Sequence, residues 1–116
     1  MILAPEETCK ALADRNRVRI LAALFNYKEL CACEIYEWLT VSGATASKHL
    51  GILIRANLIL SRKDGRWVFY RIHKSNPSNR KLLNWLKDQF AKDEKLQKDL
   101  LNLATGPNCL PLMKSI

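Results

Sequence analysis

The 116-residue sequence contains no apolar run approaching the roughly 18–20 residues that cross a bilayer. Its first ten residues, MILAPEETCK, lack the basic start and apolar core of a secretory signal, so a cytoplasmic protein with no membrane partner is expected. Acidic residues are few: 11 against 19 Lys and Arg, a net charge of +8. A basic domain of this size suggests a polyanionic partner, most often nucleic acid. Histidine is rarer still, with only His49 and His73. Neither has a partner at metal-ligand spacing, and both read as polar contacts. There is no phosphate-cradling loop, no Cys-x-x-Cys and no cysteine with an evident base, which argues against a thiol enzyme. Repeats and low-complexity segments are absent too.

Apolar residues make up 48% of the chain, enough to fold. The length suits one domain, taken as residues 1–105, followed by a tail, 106–116, without a readable pattern. Residues 5–13 read as a short helix with Pro5 in its first turn and Glu6 and Glu7 at its positive end. After a polar break at 13–17, Asn16 is the expected cap of a second helix. That helix would bury Val18, Leu21, Ala22 and Phe25. Residues 26–30 read as a connector and 31–39 as a third helix burying Ala32, Ile35 and Leu39. A turn containing Gly43 leads to a fourth helix at 43–56, with Ser42 as its cap and Ala46, Leu50, Leu53 and Ile54 as its buried stripe.

Residues 58–72 read as a hairpin about Asp64-Gly65, a pair that favours a type I′ turn. One alternating pair of its aromatics, including Trp67 and Phe69, should pack on the helices. A long helix at 79–104 carries two stripes, Leu83, Leu86, Phe90 and Leu96, Leu100, Leu103, out of phase by about a third of a turn. Either the helix breaks at KDEK (92–95) or its halves face different neighbours. Gly106-Pro107 should stop it. The order amounts to a mainly α protein with a β-hairpin, a winged helix-turn-helix.

In such a fold the fourth helix enters the major groove. Its first two turns hold Ser42, Gly43, Ala44, Thr45, Ser47, Lys48 and His49. Gly43 and Ala44 would permit close approach, and the others would contact phosphates or base edges. Arg62, Lys63 and Arg66 sit at the hairpin tip, where positive charge can meet DNA. A chain this small has a limited core, so the Leu-rich last helix is expected to bury Leu83, Leu86 and Phe90 against a second copy. A dimer would match double-stranded operator DNA with inverted-repeat symmetry.

Four cysteines are present: Cys9, Cys31, Cys33 and Cys109. If residues 31–33 are helical, the Cys31 and Cys33 thiols point about 200° apart. Holding one soft ion then requires the first turn to unwind. The positive helix start should lower the thiol pKa.

Four stretches carry a resemblance. CKALADRNRVRIL (9–21), ELCACEI (29–35), VSGATASKHLGIL (41–53) and RKDGRWVFYRI (62–72) resemble, in that order, the ArsR/SmtB family of metal-responsive repressors. They correspond to its opening, its thiolate-bearing third helix, its recognition helix and its wing. The resemblance covers roughly residues 6–73 and implies a homodimeric repressor that leaves its operator when an inducer binds. It also implies a soft-ion inducer at Cys31 and Cys33: arsenite, antimonite, cadmium or lead. The arsenic-responsive subgroup often carries a third Cys where this chain has Tyr36, so a third ligand would come from Cys9 or Cys109. The zinc site other members build on the long helix uses Asp and His pairs, and residues 79–104 hold no His. A thiol redox sensor, using Cys9 and Cys109 or Cys31 and Cys33, is the alternative.

Overall fold

The computed structural model describes residues 5–105. Cys109 and Gly106-Pro107 fall outside the described residues. Helix α1, Pro5–Leu12, has Glu6 and Glu7 in its first turn. Helix α2, Arg15–Asn26, is capped by Asp14, whose carboxylate accepts the N–H groups of Asn16 at 2.8 Å and Arg17 at 3.3 Å. Asn16, the expected cap, is therefore already helical: an aspartate in extended backbone two positions earlier satisfies the orphan donors. The buried face of α2 is also wider than a stripe. Ile20, Leu21, Ala22, Ala23 and Leu24 are all buried, with Val18 and Phe25 half-buried at its margins.

The connector before the third helix contains a strand, β1, Leu30–Cys31. Helix α3 is correspondingly Ala32–Leu39, and α4 is Gly43–Arg55 with Ser42 as its cap. Two residues with positive φ flank α4: Thr40 at 56° and Asn57 at 60°. Asn57 follows the end of α4 as expected, since asparagine tolerates the left-handed region. Thr40 closes α3 with its hydroxyl on the Leu39 carbonyl at 2.6 Å.

Strands β2, Ile59–Asp64, and β3, Trp67–Ile72, form the wing. Because Asp64 pairs with Trp67, the two-residue turn is Gly65-Arg66. Gly65 has φ +62° and Arg66 is not among the positive-φ residues. That pattern suits a type II′ turn, not the expected type I′ about Asp64-Gly65. β1 adds to the other edge of β3, giving an antiparallel sheet of order β1-β3-β2.

The long helix does break. A 3₁₀ turn, Pro77–Asn79, leads into α5, Arg80–Lys92, and Asp93 separates it from α6, Glu94–Thr105. The Asp93 carboxylate accepts the Leu96 N–H at 3.1 Å. This bend lets both out-of-phase leucine stripes reach one core, which α2 centres by touching α1, α4, β3, α5 and α6. Arg19 clasps that core from outside. Its guanidinium grips Asp99 on α6 at 2.6 and 3.0 Å and lies over the Trp38 ring at 4.6 Å. Among the described residues no helix is long and apolar enough to cross a membrane.

Candidate DNA interface and thiol site

The reading helix begins with Ser42. Its Oγ accepts the Thr45 N–H at 3.1 Å and donates to the Thr45 hydroxyl at 3.0 Å. Ser42, Gly43, Ala44, Thr45, Ser47 and Lys48 are all exposed, so the first two turns of α4 offer small, polar side chains and the cation Lys48, with Arg55 exposed at the far end. His49 does not join it. Positions 46, 49, 50 and 53 share a helical face, and that face is the buried one. The His49 Nδ1 lies 3.2 Å from Arg17 Nη1 and 3.9 Å from the Asp14 carboxylate. Arg17 can only donate, so Nδ1 accepts. The histidine braces α4 against the start of α2. His73, after the wing, buries its Nδ1 without a hydrogen-bond partner, so it is not the expected polar contact through that atom.

Lys63 and Arg66 are exposed at the wing tip, with Arg66 beside the Trp67 ring at 5.6 Å. Arg62 is not a tip residue. It sits opposite Phe69, with its guanidinium 4.5 Å from the centre of that ring. Its Nε and Nη2 donate to the two carboxylate oxygens of Glu29 at 2.7 and 2.6 Å. That hydrogen-bonded fork holds the Glu29 carboxyl below the usual carboxylate range. Glu29 was not among the sequence candidates. A single acid beside LCAC gives no sign of a partner 33 positions away.

The cysteine pair is arranged by the strand. Cys31 is in β1, paired with Phe69, and its backbone (φ −74°, ψ 147°) is extended at the start of α3. Its N–H donates to the Glu34 carboxylate at 3.0 Å, half of a capping box. Since Cys31 precedes the helix, the 200° separation expected of two helical residues does not arise. The Cys31 and Cys33 sulfurs lie 3.3 Å apart with no unwinding. Cys31 is buried and Cys33 half-buried. Burial pushes the Cys31 thiol up, and the nearby Glu34 charge adds to this; N–H groups of Cys33, Glu34 and Val68 oppose it without cancelling it. The lowered pKa expected from a helix start is therefore reversed by desolvation. Cys33 is disulfide-bonded, and Cys31 and Cys9 are free thiols, Cys9 exposed on α1.

Among the described residues, no three His, Cys, Asp or Glu side chains are grouped to hold a metal ion. Tyr36, one helical turn beyond Cys33, faces the reader: a Cβ placed on Gly43 would meet its ring at 3.6 Å. Burial pushes the Tyr70 phenol up, and the Tyr36 and Cys31 groups add to this. Leu83, Leu86 and Phe90 are buried in the chain's own core, so the stripe expected at a dimer interface already has partners. The large exposed apolar side chain on α5 is Trp85, at 58% exposure.

The comparisons agree with this geometry. Residues 14–61 match the family model described as bacterial regulatory protein, arsR family. The chain is 36% identical to the arsenical resistance operon repressor of Escherichia coli, covering 98% of this chain and 96% of that protein. It is 38% identical to the arsenic resistance transcriptional regulator ArsR1 of Pseudomonas putida over 66% of this chain, which spans 59% of that relative. The cadmium resistance regulatory protein CadC of Listeria innocua is 41% identical over 65% of this chain and 59% of its own length. Among solved structures, HlyU from Vibrio cholerae superposes with a TM-score of 0.62 at 29% identity, covering 74% of this chain and 90% of that one. The fold, the family model and a repressor matched over nearly the whole chain show that the chain belongs to the arsR family of DNA-binding transcriptional regulators.

Proposed function

We propose that the protein is a cytoplasmic, homodimeric repressor that releases an inverted-repeat operator when arsenite or antimonite occupies Cys31 and Cys33. The free protein holds DNA through residues 42–48 and through Lys63 and Arg66. The supporting observation is the 3.3 Å approach of the two sulfurs on a strand that pairs with the wing. With bonds of about 2.3 Å, the zinc–thiolate value, a 3.3 Å bite subtends roughly 92° at an ion. Tetrahedral four-coordination asks for roughly 109°. The narrower bite favours a pyramidal ion with a lone pair, such as trivalent arsenic or antimony, over cadmium or zinc. Cys33 must first be reduced, and a third donor would be Cys9 or Cys109. The names of the arsenical and cadmium resistance relatives support a soft inducer in general.

Both sulfurs stand next to the DNA-reading parts. Cys31 lies across the ladder from Phe69 in β3, and the helix after it presents Tyr36 to Gly43 at the start of α4. An ion held by both thiolates therefore sits beside wing and reader at once. By linkage, operator DNA must weaken ion binding by the factor by which the ion weakens DNA binding.

The test is a fluorescence titration of the reduced protein–operator complex with arsenite, antimonite, cadmium, lead and zinc. It is repeated with Cys31→Ser, Cys33→Ser, Cys9→Ser and Cys109→Ser. Arsenite should release wild-type protein at the lowest concentration and leave Cys31→Ser bound. Release of Cys31→Ser by arsenite would sink the reading. The disulfide at Cys33 favours a second reading, a thiol redox switch. In that case peroxide, not arsenite, releases DNA, and Cys33→Ser abolishes the response.

A further inference from the structure

We infer that Arg62 acts on DNA at second hand: its pair with Glu29 ties the wing to the cysteine-bearing strand and so positions Lys63 and Arg66. The inference rests on the proposed DNA contact of the wing.

The sheet order makes the pair a bridge. β3 lies in the middle, with β1 on one edge and β2 on the other. Cys31 pairs with Phe69 from one side and Arg62 pairs with it from the other. Glu29 immediately precedes β1, and Arg62 is in the middle of β2. Their side chains therefore connect the two outer strands across β3, over the ring of Phe69. Leu30 and Cys31 are the residues that pair β1 with β3 in the ladder. On the other side of Arg62, the next residue is Lys63 and the turn begins two residues later. The bridge thus ends one position from Lys63 and four from Arg66.

Glu29 takes the Nε–Nη2 edge of the Arg62 fork, the bidentate edge that suits a phosphate, and Nη1 lies 3.9 Å from the Asp64 carboxylate. A phosphate would have to compete with Glu29 for that edge. A direct contact and a positioning role then differ in sign. If Arg62 reached phosphate, removing the Glu29 charge would free it and tighten DNA binding. If the pair positions the wing, removing either partner loosens the tip and weakens binding.

The experiment is operator binding by fluorescence anisotropy over a salt series, for wild type, Glu29→Gln, Arg62→Gln, Arg62→Lys and the Glu29→Gln/Arg62→Gln double variant. Each Gln variant should lose affinity by about tenfold, and the double variant should be no weaker than either, because one interaction is removed once. Slopes of log affinity against log salt should match wild type, since no phosphate contact is lost. Arg62→Lys keeps the charge but not the fork, and should lose affinity like Arg62→Gln. It serves as the variant of record if Arg62→Gln does not fold. Tighter binding by Glu29→Gln, additive losses, or a slope reduced by about one in Arg62→Gln would each overturn the inference. Lys63→Ala is the control and should reduce the slope by about one. If Lys63→Ala leaves the slope unchanged, the wing contact itself fails and the inference falls with it; if only the Arg62 outcomes fail, the wing contact stands.

A second readout follows the strand. Peptide-resolved alkylation of reduced protein should modify Cys31 faster in Arg62→Gln than in wild type, with exposed Cys9 unchanged. An unchanged Cys31 rate would break the link between wing and strand.

Discussion

Lys48 and Gly43 are both exposed on α4, and the proposed DNA contact asks different things of them. Lys48 is the cation in the first two turns of α4, so Lys48→Ala should weaken binding to all sequences and lower the salt slope by about one in a filter or anisotropy assay. Gly43 has room for a methyl group, since the nearest atom is an ordinary 3.6 Å away on the Tyr36 ring. Gly43→Ala should therefore leave thermal stability unchanged or slightly raised, given alanine's better helix propensity. Any loss of operator affinity then measures how closely the backbone approaches the groove. Asp14 is a third case. Burial works against its charge, but the Arg17 and Asn16 N–H groups, then His49 and Arg17, prevail and lower its pKa below 3.8. A depressed carboxyl contributes stability above its unfolded pKa and loses it as pH falls through the folded one. Asp14→Asn keeps a capping oxygen without the charge. Its stability deficit in urea unfolding should be present at pH 7 and should vanish well below pH 3.8.

At the scale of elements, the legible features were those with a local cause. Ser42 followed by small polar residues gives a capped helix, and two β-rich runs around a glycine give a hairpin. Both are present. What sequence did not reveal depended on partners far along the chain. β1 is two residues long and exists because β3 offers an open edge; nothing local marks it. Its presence moves Cys31 out of the helix and turns an awkward thiol spacing into a 3.3 Å contact. The same distance in sequence hid the Glu29–Arg62 bond and the burial of His49. The turn illustrates the limit of local rules: Asp64-Gly65 was read one residue early, and the ladder pairs Asp64 instead. Gly65 alone then needs the left-handed region. Gly65→Ala should destabilise the wing by about 1 kcal/mol. Amide hydrogen exchange should show this as faster exchange in β2 and β3, with α2 unchanged.

At the scale of the molecule, the two helices after the wing belong to the protomer's own core. The bend at Asp93 makes this feasible, because a straight helix would turn one leucine stripe away. The proposed dimer therefore has to use what that core leaves outside. Trp85 is the large apolar side chain that α5 exposes, and an indole is a common anchor of an interface. Trp85→Glu should shift the protein from dimer to monomer in sedimentation velocity. Operator affinity should fall with it, since one half-site would then be held without the other. A dimer that persists with Glu at position 85 would place the interface elsewhere.

Thr40 gives the joint between α3 and α4 a further property. A β-branched residue in the left-handed region is held there against its own preference, by about 1–2 kcal/mol. The helix-turn-helix elbow is thus a loaded spring, kept bent by the packing on either side of it. Asparagine accepts that backbone more readily. Thr40→Asn should raise the melting temperature by a few degrees, a gain of about 1 kcal/mol. The relaxed elbow would return less force when the cysteine side of the joint is pulled. Inducer sensitivity, and not operator recognition, is the quantity such a variant should change, so the angle between two helices can be tuned from the joint that connects them.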